Sequence, residues 1–413
     1  MVGRQINRNR QNIPNREVRN PFSERVLHDA NPHELASRIT GMSAIFHRLL
    51  EGQLSRIPSE GASNITDLEA SRILSMERTL VAVEAAYTLH GLGKVEMPPK
   101  VYVNLAEGNA EISALMRDFL PNPAFRVLED FIKHANKTEK PIGDFRAMPC
   151  AIPPLGISAV KIVNVHPQNP QRYGMPSVMA KILLINPNNG SVYFIADGAW
   201  ITAMRTGAAS GVAAKFLSPT NVEHIGFVGA GVQATTQLWA LKKVRPSIKS
   251  AYYFDVKEAN PIFLQAAADL GVEIERRSLE ETVRNAEILI TTTPSKKPVI
   301  LKKYIGKNSD VLILAVGADA PGKQELSFAI TCGKRTFVYV DDFEQATHSG
   351  EVNNAVRLGR QINFAGSIGE AIVKPEIRRL EGIRIADFTG LAILDAATTA
   401  VVYELHRGSS SSS

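Results

Sequence analysis

Apolar residues recur every three or four positions from about Ile65 to Leu92, through SRILSMERTLVAVEAAYTLH, and this spacing predicts an amphipathic helix. Gly91 and Gly93 end it, and MPPKVYVNL reads as a stiff turn entering a strand. Residues 108–140 again carry a helical period and close in the polar stretch HANKTEK. From Phe145 to Ala196 the period shortens, with KIVNV, VMAKILLI and VYFIAD as strands and NPNNG as a turn. ITAMRTGAASGVAAKFL follows as a helix of small residues, one that lets another element approach closely.

The pattern changes at His224. HIGFVGAGVQA reads as strand, Gly-rich turn and helix. AYYFDV, AEILITTT, VLILAVGAD and TFVYVDD are four further strands, and helical stretches separate the early ones. Short apolar strands alternating with helices imply a parallel sheet covered on both faces. The last helix is LAILDAATTAVVYEL. The expected fold class is α/β: a Rossmann doubly wound parallel sheet over 206–345, with a second α+β domain built from 61–205 and 346–407. Residues 1–60 form an N-terminal extension, a helical insertion spans about 104–141, and 408–413 is a Ser-rich tail. No internal repeat is visible.

Composition narrows the function. A chain of 413 residues suits two domains, and 44% hydrophobic with 21% charged residues is an ordinary globular balance. No apolar run reaches the roughly 20 residues of a bilayer-spanning helix, so no membrane role is expected. Cys150 and Cys332 are too few for a disulfide framework and fit a reducing compartment. With no apolar h-region, the expected location is cytoplasmic. No CxxC or HExxH supports a metal site. The net charge of +6 invites a nucleic-acid reading, but the excess is local. Arg4, Arg8, Arg10, Arg16, Arg19 and Arg25 stand against Glu17 and Glu24 in an Asn-rich arm without apolar period. The remainder is near neutral, and no nucleic-acid partner is expected.

GAGVQA, with Gly229, Gly231, Val232, Gln233 and Ala234, is a G-x-G-x-x-A fingerprint. It follows the strand HIGFV and opens the helix QATTQLWALKK, the context a dinucleotide-binding turn requires. The first Gly makes the tight turn, the second lets a pyrophosphate approach, and the small third residue packs helix on strand. Asp255 ends the next strand, where an acid bonds a ribose 2′-hydroxyl and repels a 2′-phosphate. The expected cofactor is NAD, with NADP kept open because Lys257 could meet a phosphate.

Five charged residues outside the glycine loop stand out. Lys100 follows two prolines, Arg146 lies in GDFRAMP, Lys161 interrupts an apolar strand and so must snorkel or pair, and Arg205 heads the small-residue helix. Asp319 stands in the turn after the strand VLILAVGAD, at the strand end that faces the ligand crevice of a doubly wound sheet. Each has a bland alternative as a solvated charge or a turn residue. Only convergence on one pocket decides between the two.

MPPKVYV, FRAMP, VKIVNVHPQNP, ITAMRTGAAS, GAGVQA, GADAPGKQEL, VDDFEQATHSGE and DFTGLAILD occur in this order. Together they resemble the ornithine cyclodeaminase/mu-crystallin family, most of all its archaeal-type alanine dehydrogenase branch, over about 65–100 and 143–407. The resemblance implies a homodimer whose second domain forms the substrate site and dimer interface. It also implies hydride transfer between NAD(P) and the Cα–N unit of a small amino or imino acid. By place in the motif, Lys100 resembles the basic residue that binds the substrate carboxylate, Lys161 the lysine that bonds the substrate, and Arg205 the arginine that meets its carboxylate. Arg146 resembles a further carboxylate ligand of the dehydrogenase branch. Asp319 resembles the aspartate that handles protons at the reacting nitrogen or attacking water, with Lys161 or Lys100 able to share that transfer. Ser177 and Thr389–Gly390 resemble positions near the nicotinamide, and Thr206, Val316 and Gly317 are counted with them as cofactor contacts.

Two features depart from the family pattern: the N-terminal arm, and some 40 residues of helical insertion between the MPPK and FRAMP strands. The resemblance implies first an alanine dehydrogenase. The alternatives are an ornithine cyclodeaminase yielding proline, an imine or ketimine reductase, and a mu-crystallin-like NADP(H)-binding protein.

Overall fold

A computed structural model of the protein describes residues 62–104, 143–306 and 310–410. The expected N-terminal extension and, Asn104 apart, the expected insertion lie outside these residues. The chain forms two sheets. The first runs β1-β6-β5-β4-β3-β2, from β1 (Ser63–Ile65), β2 (Val101–Asn104), β3 (Asp144–Ile152), β4 (Ile157–Val165), β5 (Val178–Ile185) and β6 (Val192–Asp197). It is antiparallel except where β1 joins β6.

The second sheet comprises β7 (His224–Val228), β8 (Ser250–Phe254), β9 (Glu273–Arg276), β10 (Ile288–Thr291), β11 (Val311–Ala315), β12 (Thr336–Val340), β13 (Phe364–Ser367) and β14 (Ile383–Asp387). Its order is β13-β12-β14-β11-β10-β7-β8-β9, and every pairing is parallel. With β8 on one side of β7 and β10 on the other, the winding reverses there, and ligands of doubly wound sheets bind at such a switch point.

The helices that matter for the site are α1 (Asp67–Ile73), α2 (Met76–Gly91), α3 (Ala199–Leu217), α4 (Val232–Val244), α5 (Gly350–Arg357) and α6 (Ala392–Ser410). The single helix expected over 65–92 is two. Leu74 is extended, and the hydroxyl of Ser75 accepts the amide of Arg78 at 3.4 Å to start α2 afresh, the competition with backbone that makes serine a cap. Residues 392–403 of the final helix are all buried, as fits a helix apolar on every side. It packs against β3, β4 and β5 and against α2 and α3.

Four strands escape sequence reading: β1, at the expected start of the first helix, and β9, β13 and β14, the last two of which correct the domain assignment. β9 (EIER) is a polar edge strand. β13 and β14 lie in the eight-stranded sheet rather than in the second domain, where 346–407 was expected. β14 sits between β11 and β12, with Ile383 level with Val311 and Thr336. Its sequence, IRIAD, is short and carries two charges, Arg384 and Asp387, both fully buried. The expected boundary at residue 206 also falls inside α3, which belongs to neither half alone. A Cβ at Gly207 would lie 2.3 Å from the Thr236 carbonyl oxygen of α4, and one at Gly211 would lie 3.0 Å from the Ala240 Cβ. This is the close approach expected of a small-residue helix.

At the C-terminal ends of the parallel strands, four fully buried carboxyls hold the backbone of the loops: Glu325, Asp341, Glu351 and Asp387. Asp341 accepts the amides of Thr389 and Gly390 at 2.7 and 2.8 Å. Asp387 accepts those of Glu351 and Val352 at 3.1 and 3.0 Å. Glu351 takes those of Glu325 and Leu326, and Glu325 those of Thr293 and Gly317. None of the four forms an ion pair among the described residues. Burial raises the affinity of each for a proton; Asp387 is pushed up to about 7, with Asp341 and Glu325 adding to the effect against its two amide bonds.

Two expectations follow from this packing. Gly207→Val lowers stability by about 1–3 kcal/mol or more through overpacking at the α3–α4 crossing, read from denaturant unfolding. For Asp387, the folded protein keeps a proton across roughly pH 4–7 that the unfolded chain has lost. The stability it contributes is whole below about pH 4 and drains away as pH rises to about 7. The melting temperature therefore falls less between pH 5 and pH 8 in Asp387→Asn than in the wild type, and equal falls in both proteins refute this.

Candidate active site

A cavity of about 320 Å³ lies between the C-terminal ends of the parallel strands and one face of the first sheet. The alternation of strand side chains builds the sheet wall. Arg146 and Met148 share a face of β3, and Lys161, Val163 and Val165 share a face of β4, with Val178 beside them on β5. Opposite stand Thr292, Thr293 and Pro294 after β10, and Val316, Gly317 and Asp319 after β11. Asp341 follows β12, and Phe388, Thr389 and Gly390 follow β14. Arg205 and Thr206 enter from α3, Gln233 from α4 and Lys100 from the turn before β2.

Lys161 and Arg205 are bound to one acid. Asp395, near the start of α6 and 1% exposed, lies 2.6 Å from Lys161 Nζ through Oδ2 and 2.9 Å from Arg205 Nε through Oδ1. Removing one partner of such a buried cluster typically costs roughly 3–5 kcal/mol. Two cations on one carboxylate leave positive charge facing the cavity. Burial, and then the neighbouring Arg205 guanidinium, bring Lys161 down to about 7 against the pull of Asp395. Gly390 makes room for that guanidinium: its φ is +83°, and a Cβ there would lie 3.2 Å from Arg205 Nη1.

Asp319 gathers the other charges. Its Oδ1 lies 2.6 Å from Lys323 Nζ, and its Oδ2 lies 3.4 Å from Arg146 Nη1. Arg146 is in turn held by Asp144 at 2.7 Å and lies over the ring of Tyr102, 4.8 Å from its centroid. Burial alone would raise the Asp319 pKa, but Lys323, then Lys100 and Arg146, outweigh it and hold the carboxyl at about 2. Lys100 ties two turns together, donating to the Asp319 carbonyl at 2.8 Å and the Thr389 carbonyl at 2.6 Å. Burial lowers it to about 8, with Asp319 pulling the other way. The Thr389 hydroxyl donates to Asp341 and accepts from Gln345, each at 2.7 Å.

The glycine loop fits a dinucleotide. Gly229 has a φ of +99°, in the region that favours glycine, and Gly231 is the N-cap of α4 with no side chain to cap it. A Cβ at Gly231 would meet no protein atom within 4 Å, so the space before the helix N-terminus is open to an anion. Ala234 is fully buried, whereas Val232 is 67% exposed at the loop's rim. Asp255 braces the loop, accepting the Ala230 amide at 2.8 Å and the Lys257 amide at 2.9 Å, with acceptor capacity left on each oxygen.

Of the residues expected from sequence, Lys100, Arg146, Lys161, Arg205, Thr206, Gln233, Val316, Gly317, Asp319, Thr389 and Gly390 all line the one cavity. Gly229, Gly231, Val232, Ala234 and Asp255 belong to the adjoining loop. Ser177 does not line the cavity; its neighbour Val178 does, and the Ser177 carbonyl accepts the His166 amide at 2.7 Å. Sequence reading missed Asp395, Asp144, Asp341, Gln345 and Lys323. Asp395 had a signal, an acid within the apolar helix LAILDAATTAVV, where a buried charge needs a partner. Lys323, four positions after Asp319, could have been found by spacing alone.

Comparison with known proteins supplies the family. The family model of the ornithine cyclodeaminase/mu-crystallin family matches residues 111–410. An alanine dehydrogenase of Archaeoglobus fulgidus is 38% identical over 345 residues, covering 82% of this chain and 94% of that one. Among solved structures, an archaeal alanine dehydrogenase dimer with bound NAD is 37% identical with a TM-score of 0.71, covering 84% of this chain and 97% of that chain. A Thermococcus litoralis Δ1-pyrroline-2-carboxylate reductase in complex with NADH and L-proline is 27% identical with a TM-score of 0.70, over 84% and 98% of the two chains. The chain belongs to the ornithine cyclodeaminase/mu-crystallin family.

Proposed function

We propose that the protein is an NAD-dependent alanine dehydrogenase, converting L-alanine, NAD and water to pyruvate, ammonia and NADH. The observation that carries this reading is the convergence of Lys100, Arg146, Lys161, Arg205 and Asp319 on one cavity beside an open glycine loop. Bound there, the nicotinamide would supply the two-electron hydride acceptor. Asp255 at the end of β8 favours NAD over NADP, and the free cysteines Cys150 and Cys332 suit a reducing cytoplasm.

The chain's own residues divide the work. Surplus positive charge at Lys161, Arg205 and Lys100 fixes the substrate carboxylate, and a guanidinium fork adds orientation. Fixing the carboxylate presents Cα–H to the acceptor, and such positioning supplies much of the rate. Asp319 takes a proton from the substrate ammonium and releases it to solvent, then takes a second from the attacking water and returns it to the departing nitrogen. Lys161 at about 7 and Lys100 at about 8 lie in the range where a side chain exchanges protons near neutral pH. Met148, Val163, Val165 and Val178 give the substrate side chain an apolar wall, which suits a methyl group. The second ammonium of a diamino acid would need a further carboxylate, and the other acid lining the cavity among the described residues, Asp341, already accepts the Thr389 and Gly390 amides and the Thr389 hydroxyl.

A homodimer is part of the proposal. The face of the first sheet turned away from the cavity carries Val101 and Val103 on β2, Ala147 on β3, Val160 and Ile162 on β4 and Leu183 on β5, all at least partly exposed. An apolar sheet face of this extent calls for a covering partner, and the archaeal relative is a dimer.

Two experiments test these proposals. Wild-type protein with NAD and a panel of L-amino acids is followed at the NADH absorbance, with proline measured in parallel. L-Alanine gives the highest kcat/KM, and Asp319→Asn lowers turnover by at least about a hundredfold with NAD affinity within about twofold. Proline from ornithine without net NADH would instead identify a cyclodeaminase. Ile162→Arg shifts the protein from dimer to monomer in sedimentation velocity; a wild type that sediments as a monomer refutes the dimer.

A further inference from the structure

Lys323 holds none of the roles assigned above, yet its side chain lines the cavity and its ammonium lies 2.6 Å from Asp319 Oδ1. Both oxygens of Asp319 therefore face a cation, the other being Arg146 Nη1. The two cations differ in freedom. Arg146 is clamped by Asp144, covered by Tyr102 and 8% exposed. Lys323 has its backbone pinned, with Asn354 Nδ2 donating to its carbonyl at 2.8 Å, but its side chain is 27% exposed. Asp319 is the one acid it pairs with among the described residues. Lys100 and Tyr102, the other polar groups at this turn, bond the Asp319 backbone carbonyl and leave its carboxylate to Lys323 and Arg146.

We infer that Lys323 is a displaceable occupant of the substrate's ammonium subsite, holding Asp319 until the α-ammonium of an amino acid takes its place. The inference rests on the proposed role of Asp319. The exchange keeps the cavity's charge constant, since one ammonium leaves the carboxylate as another arrives, and no bare carboxylate forms in between. Proton transfer then breaks one N–H bond of the substrate and forms one O–H bond on Asp319, with no change in oxidation state. While Lys323 is in place, the oxygen that would receive this proton is already committed. A 2-oxo acid has no ammonium and does not compete.

Lys323→Met removes the competitor and keeps most of the stem. With NAD saturating, the KM for L-alanine falls roughly two- to fivefold, the worth of a partly exposed ion pair acting as an internal competitor. The KM for pyruvate in the reverse reaction stays within about twofold, and Lys323→Arg, whose guanidinium can hold the carboxylate in a fork, does not lower the KM for L-alanine. An unchanged KM for L-alanine in Lys323→Met, as a mere brace of the turn would give, overturns the inference. So does a raised KM, as a ligand of the substrate carboxylate would give. Should that variant fail to fold, Lys323→Gln carries the same expectations. Asp319→Asn separates the two levels. If it keeps its turnover, the proposed function has failed; if it loses turnover while Lys323→Met leaves KM unmoved, only the displacement has failed.

Discussion

Asp395 shares its carboxylate between Lys161 and Arg205, and the rest of the site depends on that arrangement. It joins three elements: α6 supplies the acid, β4 the lysine and the head of α3 the arginine. These are the last helix, the first sheet and the helix that leads into the parallel sheet, so the contact fixes the two halves of the molecule around the cavity. It is also deliberately incomplete. One acid against two buried cations leaves charge that water cannot easily screen there, and a substrate carboxylate is the natural complement.

Around that cluster, carboxyls do two different jobs. Asp341, Asp387, Glu351 and Glu325 lie beneath the loops and accept backbone amides, so their protons belong to the architecture. Asp319 stands at the cavity among cations, with 42% of its side chain exposed, where the proposed reaction puts its proton transfer. The same residue types thus carry opposite shifts. Burial without a cation raises the first group, whereas Lys323, Lys100 and Arg146 lower the second. The loops that bear Asp319 and Thr389 are held from below by the buried acids and from above by Lys100, which bonds both their carbonyls.

Sequence made much of this legible. The glycine loop, five of the strands around it, the small-residue helix and the charged residues of the motifs could all be read, because each is a local pattern of period, spacing or turn chemistry. β14 could not be read: IRIAD is brief, carries charge and lies far from its neighbours β11 and β12 in the chain. The break at Ser75 was hidden because the apolar period runs on across the cap. Asp395 was missed because its partners Lys161 and Arg205 lie far away in sequence, whereas Asp144, two residues from Arg146 on the same face of β3, could have been found by strand spacing.

The sequence by itself determined most of the elements, the dinucleotide turn and the five charged residues of the motifs, Lys100, Arg146, Lys161, Arg205 and Asp319. Those follow from local sterics and side-chain chemistry, which each segment carries with it. Tertiary structure decided the rest: that five separated charged residues face one cavity, that one acid serves two cations, and that Asp319 lies between Lys323 and Arg146. Charge on a side chain is written in the sequence, but its proton affinity depends on burial and on neighbouring charges. Only the packing of β3, β4, α3 and α6 against the ends of the parallel strands supplies those.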